Sequence, residues 1–247
     1  MRRLGVAIGC LTILPFGPRG KIQEADLGGS LLWFPLVGLL IGAWLVGVNV
    51  LASRAFPPVV VGACVLLAWV VATGALHLDG VGDVADGLYG GHTPAERLQI
   101  MKDPHVGAVA VVAIVCLLVL KFALLSSLSP SLMNGALLLA PCLGRYAMVV
   151  LGTTLPYARQ TGGTGAPFVQ HARPSSLIGA TALSLSGCWV VWRGRGLVLL
   201  GVTLLSSVLF RAVFRRALGG ITGDALGAAG ELTEVLVLCG LALVTTT

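Results

Sequence analysis

Three aspartates, Asp79, Asp83 and Asp86, punctuate the run His77-Leu-Asp-Gly-Val-Gly-Asp-Val-Ala-Asp-Gly87. On a helix turning about 100° per residue, spacings of four and seven bring a side chain back to within about 40° of its first direction, so all three acids share one narrow sector. Like charges held that close require a cation between them. The donors are oxygens, with no Cys or paired His in reach, which favours a hard ion; Mg²⁺ held by carboxylates and substrate phosphates is the usual case. Gly80, Gly82 and Gly87 leave room among the acids for a phosphorylated ligand to approach the backbone. His77 either donates to a carboxylate or phosphate or caps the helix end.

Further chemistry follows along the chain. In Glu96-Arg-Leu-Gln-Ile-Met-Lys-Asp-Pro-His-Val-Gly107, Lys102 suits a diphosphate, and Asp103 suits the metal shell or a hold on Lys102. Gly144-Arg145 lies inside an apolar stretch, where a guanidinium wants a carboxylate or phosphate partner. Lys121, near the outer end of its stretch, is expected to snorkel to the interface. The loop Pro156-Tyr-Ala-Arg-Gln-Thr-Gly-Gly-Thr-Gly165 joins Arg159 to a glycine run, which suits either a lid over an anion or a plain connector. In Gly223-Asp-Ala-Leu-Gly-Ala-Ala-Gly-Glu-Leu-Thr-Glu234, Asp224 and Glu231 are spaced to share a helical face, and Gly227 and Gly230 suit close packing against the Asp79 helix.

The elements that carry these groups belong in lipid. Of 247 residues, 56% are hydrophobic and 11% charged, against about 25% charged in a soluble domain. Apolar stretches recur at about 28–53, 57–76, 107–126, 132–153, 176–192, 196–212 and 232–246, each near the roughly 20 residues of a spanning helix. The expected fold is therefore all-α: a polytopic membrane bundle of about seven transmembrane helices forming one catalytic domain over 1–247. The amino-terminal Met-Arg-Arg and its apolar run lack a small-residue cleavage site, and are expected to stay as a short interfacial or re-entrant helix.

Charge placement sets the sidedness. If Arg19 and Lys21 are cytoplasmic, so are loops 77–106, 154–175 and 213–231, which carry Arg97, Lys102, Arg159, Arg173, Arg215 and Arg216. The opposite side receives mainly Arg54, Arg193 and Arg195, the asymmetry typical of inner-membrane proteins. Eight of the ten acids fall in two segments on that cytoplasmic face. The net charge of +6 comes without a basic run, so no nucleic-acid partner is expected. The six cysteines stand singly in apolar stretches and read as core residues.

Taken together, Leu32-Trp-Phe-Pro-Leu-Val-Gly38, Thr73 to Gly87, Glu96-Arg97 with Ile100-Met-Lys-Asp103 and Gly107, Pro156-Tyr-Ala-Arg159, and Gly223-Asp-Ala-Leu-Gly-Ala228 with Glu231 resemble the cobalamin synthase family, the adenosylcobinamide-GDP ribazoletransferases. The segments run in family order over nearly the whole chain; Gly82 stands where the family pattern has Ala. The resemblance implies a Mg²⁺-dependent enzyme of the prokaryotic inner membrane, its active site facing the cytoplasm. It joins adenosylcobinamide-GDP to α-ribazole or α-ribazole 5′-phosphate and releases GMP. On this reading Asp83, Lys102 and Arg145 serve catalysis. His77, Gly80, Gly87, Arg97, Asp103, Tyr157 and Arg159 bind substrate, and Asp79, Asp83, Asp86, Asp224 and Glu231 hold metal. A homo-oligomer in the lipid bilayer is among the expectations.

The residues agree with that chemistry on their own terms, since displacing a nucleoside monophosphate needs charge neutralisation, orienting cations and a placed hydroxyl. A CDP-alcohol phosphotransferase is the rival enzyme, but its Asp-Gly-x-x-Ala-Arg opening fails at Val81-Gly82-Asp83-Val84. A cation-coupled transporter is the reading from another class. Its expected inverted repeats are not apparent, and the acids gather at one face.

Overall fold

The structure is a computed structural model that describes residues 2–17 and 20–244; Pro18, Arg19 and positions 245 and 246 of the last apolar stretch lie outside it. In lipid, a spanning segment must satisfy its backbone polar groups internally, so the apolar stretches form helices. In chain order these are α1 (Arg2–Leu11), α2 (Glu24–Ser30), α3 (Phe34–Ala52), α4 (Pro58–Thr73), α5 (Leu76–Gly90), α6 (Pro94–Ile100), α7 (Ala108–Ser127), α8 (Pro130–Thr154), α9 (Ala166–Gln170), α10 (Pro174–Leu218) and α11 (Gly223–Val244). Among the described residues the only extended pairing is one bridge between Tyr157 and Ile221.

Five helical stretches are long and apolar enough to cross a membrane, α2 and α3 together forming one of them, and the bent pair α4–α5 adds a sixth when taken as one broken span. Helix α10, at 45 residues, far exceeds the ~30 Å of a hydrocarbon core at about 1.5 Å per residue. It is not continuous: Trp192 and Arg193 leave helical φ/ψ. A Cβ on Gly196 would sit 2.2 Å from the Cys188 carbonyl oxygen, a contact that requires the chain to double back. Helix α10 is thus a hairpin with arms 174–191 and 194–218. Counting the arms separately gives one pass for each apolar stretch in the sequence.

The second apolar stretch differs from a simple span. Helix α4 stops at Thr73, and the chain turns through left-handed Gly74 (φ 61°) and Ala75 (φ 57°). Helix α5 then leaves at 87°. It packs along the first halves of α7 and α11, so the aspartate run occupies the inner part of the bundle instead of a solvated loop.

Helix α8 is the central post, buried along most of its length. Its neighbour α3 approaches until a Cβ on Gly38 or Gly42 would meet the backbone oxygens of Pro141 or Leu137 at 2.4 and 2.5 Å. Pro141 lacks an N–H and so leaves the Leu137 carbonyl without its helical donor, and Gly42 lies against that oxygen. Gly38→Val is expected to destabilise the protein by about 3 kcal/mol or more, because backbone cannot yield as a side chain can. Thermal unfolding in detergent reads this directly.

The three loops assigned to one face meet at one end of the bundle. Arg97 donates to the Ala217 carbonyl (3.1 Å), Lys102 to Thr161 Oγ1 (2.9 Å), and Ala158 N to the Ile221 carbonyl (2.9 Å).

Candidate active site

At that end, α5 presents Asp79, Gly82, Asp83 and Asp86 to a cavity of about 320 Å³. Lys102, Asp103 and His105 from the α6–α7 connection and Ala110 and Ile114 of α7 also line it. The helical spacing of the acids does what the sequence led one to expect. Asp79 is exposed and Asp83 half-buried, and neither carboxylate makes a hydrogen bond or ion pair among the described residues. Asp83 feels the charges of Asp224, Asp79 and Asp86, opposed by Arg159. Asp86 differs: its two oxygens accept from the Gly107 and Ala110 N–H groups, both at 2.8 Å, and so cap the N-terminus of α7. Its first task is to fix α5 against α7.

The surrounding loops bring the cations. Lys102 is exposed, with its ammonium on Thr161 of the glycine loop. Asp103 does not hold Lys102. It accepts from the His105 backbone N–H (3.0 Å) and pairs with the His105 ring (2.6 Å), which together keep its carboxyl below the usual carboxylate range. Arg159 donates to Asp224 Oδ2 (2.8 Å) and to the Met101 carbonyl (3.1 Å), tying the glycine loop to α11 and to the end of α6. The Tyr157 hydroxyl and Arg159 Nε are buried without a partner beneath that loop.

Several expectations change. Gly80 and Gly87 leave no open space beside them: a Cβ there would strike the Asp224 carbonyl oxygen (2.5 Å) and Met101 Cγ (2.6 Å), so helix packing fills both places. Arg97 spends its guanidinium on the Gly91 and Ala217 carbonyls. His77 is buried against Gly227, with Nδ1 3.4 Å from Arg145 Nη2, and does not line the cavity. Arg145 is wholly buried on Glu234, and Glu231 is buried on Lys121 at 3.0 Å. Arg145 therefore does not line the cavity, and Glu231 is not among the carboxylates there. Lys121 does not snorkel. It pairs with Glu231 and Glu234 and lies 3.9 Å over the Trp69 ring.

The sequence reading assigned no role to Glu234, which joins both buried cations. The available signal was its spacing from Glu231, which puts the two acids on one helical face. His105 was likewise passed over, though it follows Asp103 at the spacing of a side-chain turn.

Among the described residues no three His, Cys, Asp or Glu side chains form a ready-made metal shell. Mg²⁺ seldom needs one, since it keeps waters and takes one or two carboxylates plus substrate phosphates. Two unpartnered carboxylates facing one cavity fit that requirement; Asp86, also at the cavity, and Asp224 are already bonded.

The family model described as "Cobalamin-5-phosphate synthase" matches residues 3–242. An adenosylcobinamide-GDP ribazoletransferase of Pseudomonas paraeruginosa is 42% identical over 247 residues, covering 98% of each chain. Proteins of the same name from Syntrophobacter fumaroxidans and Acetivibrio thermocellus are 39% and 35% identical, covering 95% and 96% of each chain. No solved structure matches.

Proposed function

The chain belongs to the cobalamin-5-phosphate synthase family, and on that footing we propose that it joins adenosylcobinamide-GDP to α-ribazole or α-ribazole 5′-phosphate and releases GMP. The observation that carries the reading to residues is the cavity in which unpartnered Asp79 and Asp83 face Lys102. Neither a CDP-alcohol phosphotransferase nor a transporter is favoured by the relatives.

GMP leaves with its own phosphate, so the acceptor hydroxyl must attack the phosphorus on the cobinamide side. That oxygen loses its proton and forms the new P–O bond as the bond to the GMP oxygen breaks. Mg²⁺ held by Asp79 and Asp83 would neutralise the diphosphate and the departing GMP. Lys102, on a flexible stem and bonded only to a threonine hydroxyl, is free to turn to a phosphate. Arg159 holds Asp224 beside Asp83 and ties the glycine loop to α11 and to the end of α6. The active site faces the cytoplasm of a prokaryotic inner membrane, a placement supported by Arg97, Lys102, Arg159, Arg215 and Arg216 at the same end.

The test is to incubate purified protein with adenosylcobinamide-GDP, Mg²⁺ and either acceptor, and to separate the products by chromatography. GMP and a corrinoid carrying the lower base are expected in equal amounts, and the faster acceptor identifies the natural one. Absence of GMP with both acceptors would refute the reading. Lys102→Ala is expected to raise KM for the donor about tenfold, the order of one phosphate contact, with KM for the acceptor unchanged. Steady-state kinetics with each substrate varied separates the two.

A further inference from the structure

We propose that Glu234 is a positioning residue for this reaction: by tying Lys121 and Arg145 together inside the bundle, it holds the bent α4–α5 pair at the angle that presents Asp79 and Asp83 to the cavity. The inference rests on the transferase reading above. Its starting point is the bend itself. Two consecutive left-handed residues make it, and one of them is Ala75 at φ 57°, where a Cβ crowds the following carbonyl oxygen. Such a turn persists only when its surroundings over-determine it.

The surroundings are the buried ions. Trp69, on the α4 limb, lies under Lys121 Nζ at 3.9 Å. His77, on the α5 limb, lies 3.4 Å from Arg145 and against Gly227. Lys121 belongs to α7, Arg145 to α8, and Glu234 of α11 accepts from both, while Glu231 accepts from Lys121. One cluster thus grips both limbs of the break and three neighbouring helices. Its two cations and two carboxylates balance, and none of the four lines the cavity. Buried ion clusters contribute little net stability against apolar replacements. What this one supplies is a fixed geometry at the root of the helix that carries the aspartates.

The experiment uses full-length protein in lipid nanodiscs, with its native cysteines replaced. Nitroxide labels are placed on exposed Tyr89 of α5 and exposed Leu51 of α3, and a control pair joins Leu51 to exposed Val111 of α7. The variant Lys121→Met/Glu234→Gln keeps the charge balance. It is expected to broaden the Tyr89–Leu51 distance distribution while leaving the control pair unchanged. GMP release should slow about tenfold to a hundredfold, as small misplacements of reacting groups do, with the acceptor KM within about twofold. Trp69→Leu keeps every charge, is measured beside it, and should show the same pattern at smaller amplitude. An unchanged α5 distance in whichever variant is recovered overturns the proposal, as does equal broadening of both pairs. If wild-type protein makes no GMP, the transferase reading fails while the distances still decide the role of Glu234.

Discussion

Asp83→Asn is expected to cut GMP release by at least about a hundredfold, the scale of losing one pre-placed electrostatic partner of a transition state, with the protein still inserted and folded. The substitution keeps size and shape and disturbs no protein contact, because the Asp83 carboxylate has no hydrogen-bond partner among the described residues. What it removes is one of two free charges facing the cavity. The neighbouring charges of Asp224, Asp79 and Asp86 on Asp83 imply that its removal relieves repulsion among these acids. An equal or raised unfolding temperature together with lost turnover is therefore the expected pair of results. Wild-type turnover at limiting Mg²⁺ would remove Asp83 from the site.

Arg145→Leu should fail differently. Its guanidinium is fully buried on Glu234, so the variant leaves two buried carboxylates sharing Lys121 alone. Removing one partner of a buried pair costs about 3–5 kcal/mol, against a total stability of about 5–15 kcal/mol. A large loss of folded protein is the expected outcome, measured by size-exclusion yield and unfolding temperature. Folded protein at wild-type yield with no turnover would instead return Arg145 to the reacting groups.

These two residues show where the sequence was legible. Asp79 and Asp83 were readable because helical spacing among apolar residues puts acids on one face wherever that helix sits. The partners of Arg145 and Lys121 were not, because pairing depends on which helices are neighbours, and hydropathy is silent on that. Gly80 and Gly87 illustrate the same limit: a missing side chain admits a phosphate or a second helix equally well, and only the positions of α11 and α6 decide. The apolar stretches gave the passes, including both arms of α10. The break at Gly74–Ala75 escaped because a single alanine in a left-handed turn leaves no compositional mark. Asp86 was rightly placed in the sector, yet its oxygens cap α7, a use that spacing within α5 alone does not reveal.

The central claim is that Asp79 and Asp83 hold the metal that accompanies the donor's diphosphate. Its most direct test is the electron paramagnetic resonance of Mn²⁺, used in place of Mg²⁺, titrated into the nanodisc-bound protein with GDP. Wild-type protein and Asp103→Asn should both deplete the free Mn²⁺ signal, whereas Asp79→Asn/Asp83→Asn should leave it as it is with GDP alone. Undiminished Mn²⁺ binding by that double variant would contradict the account.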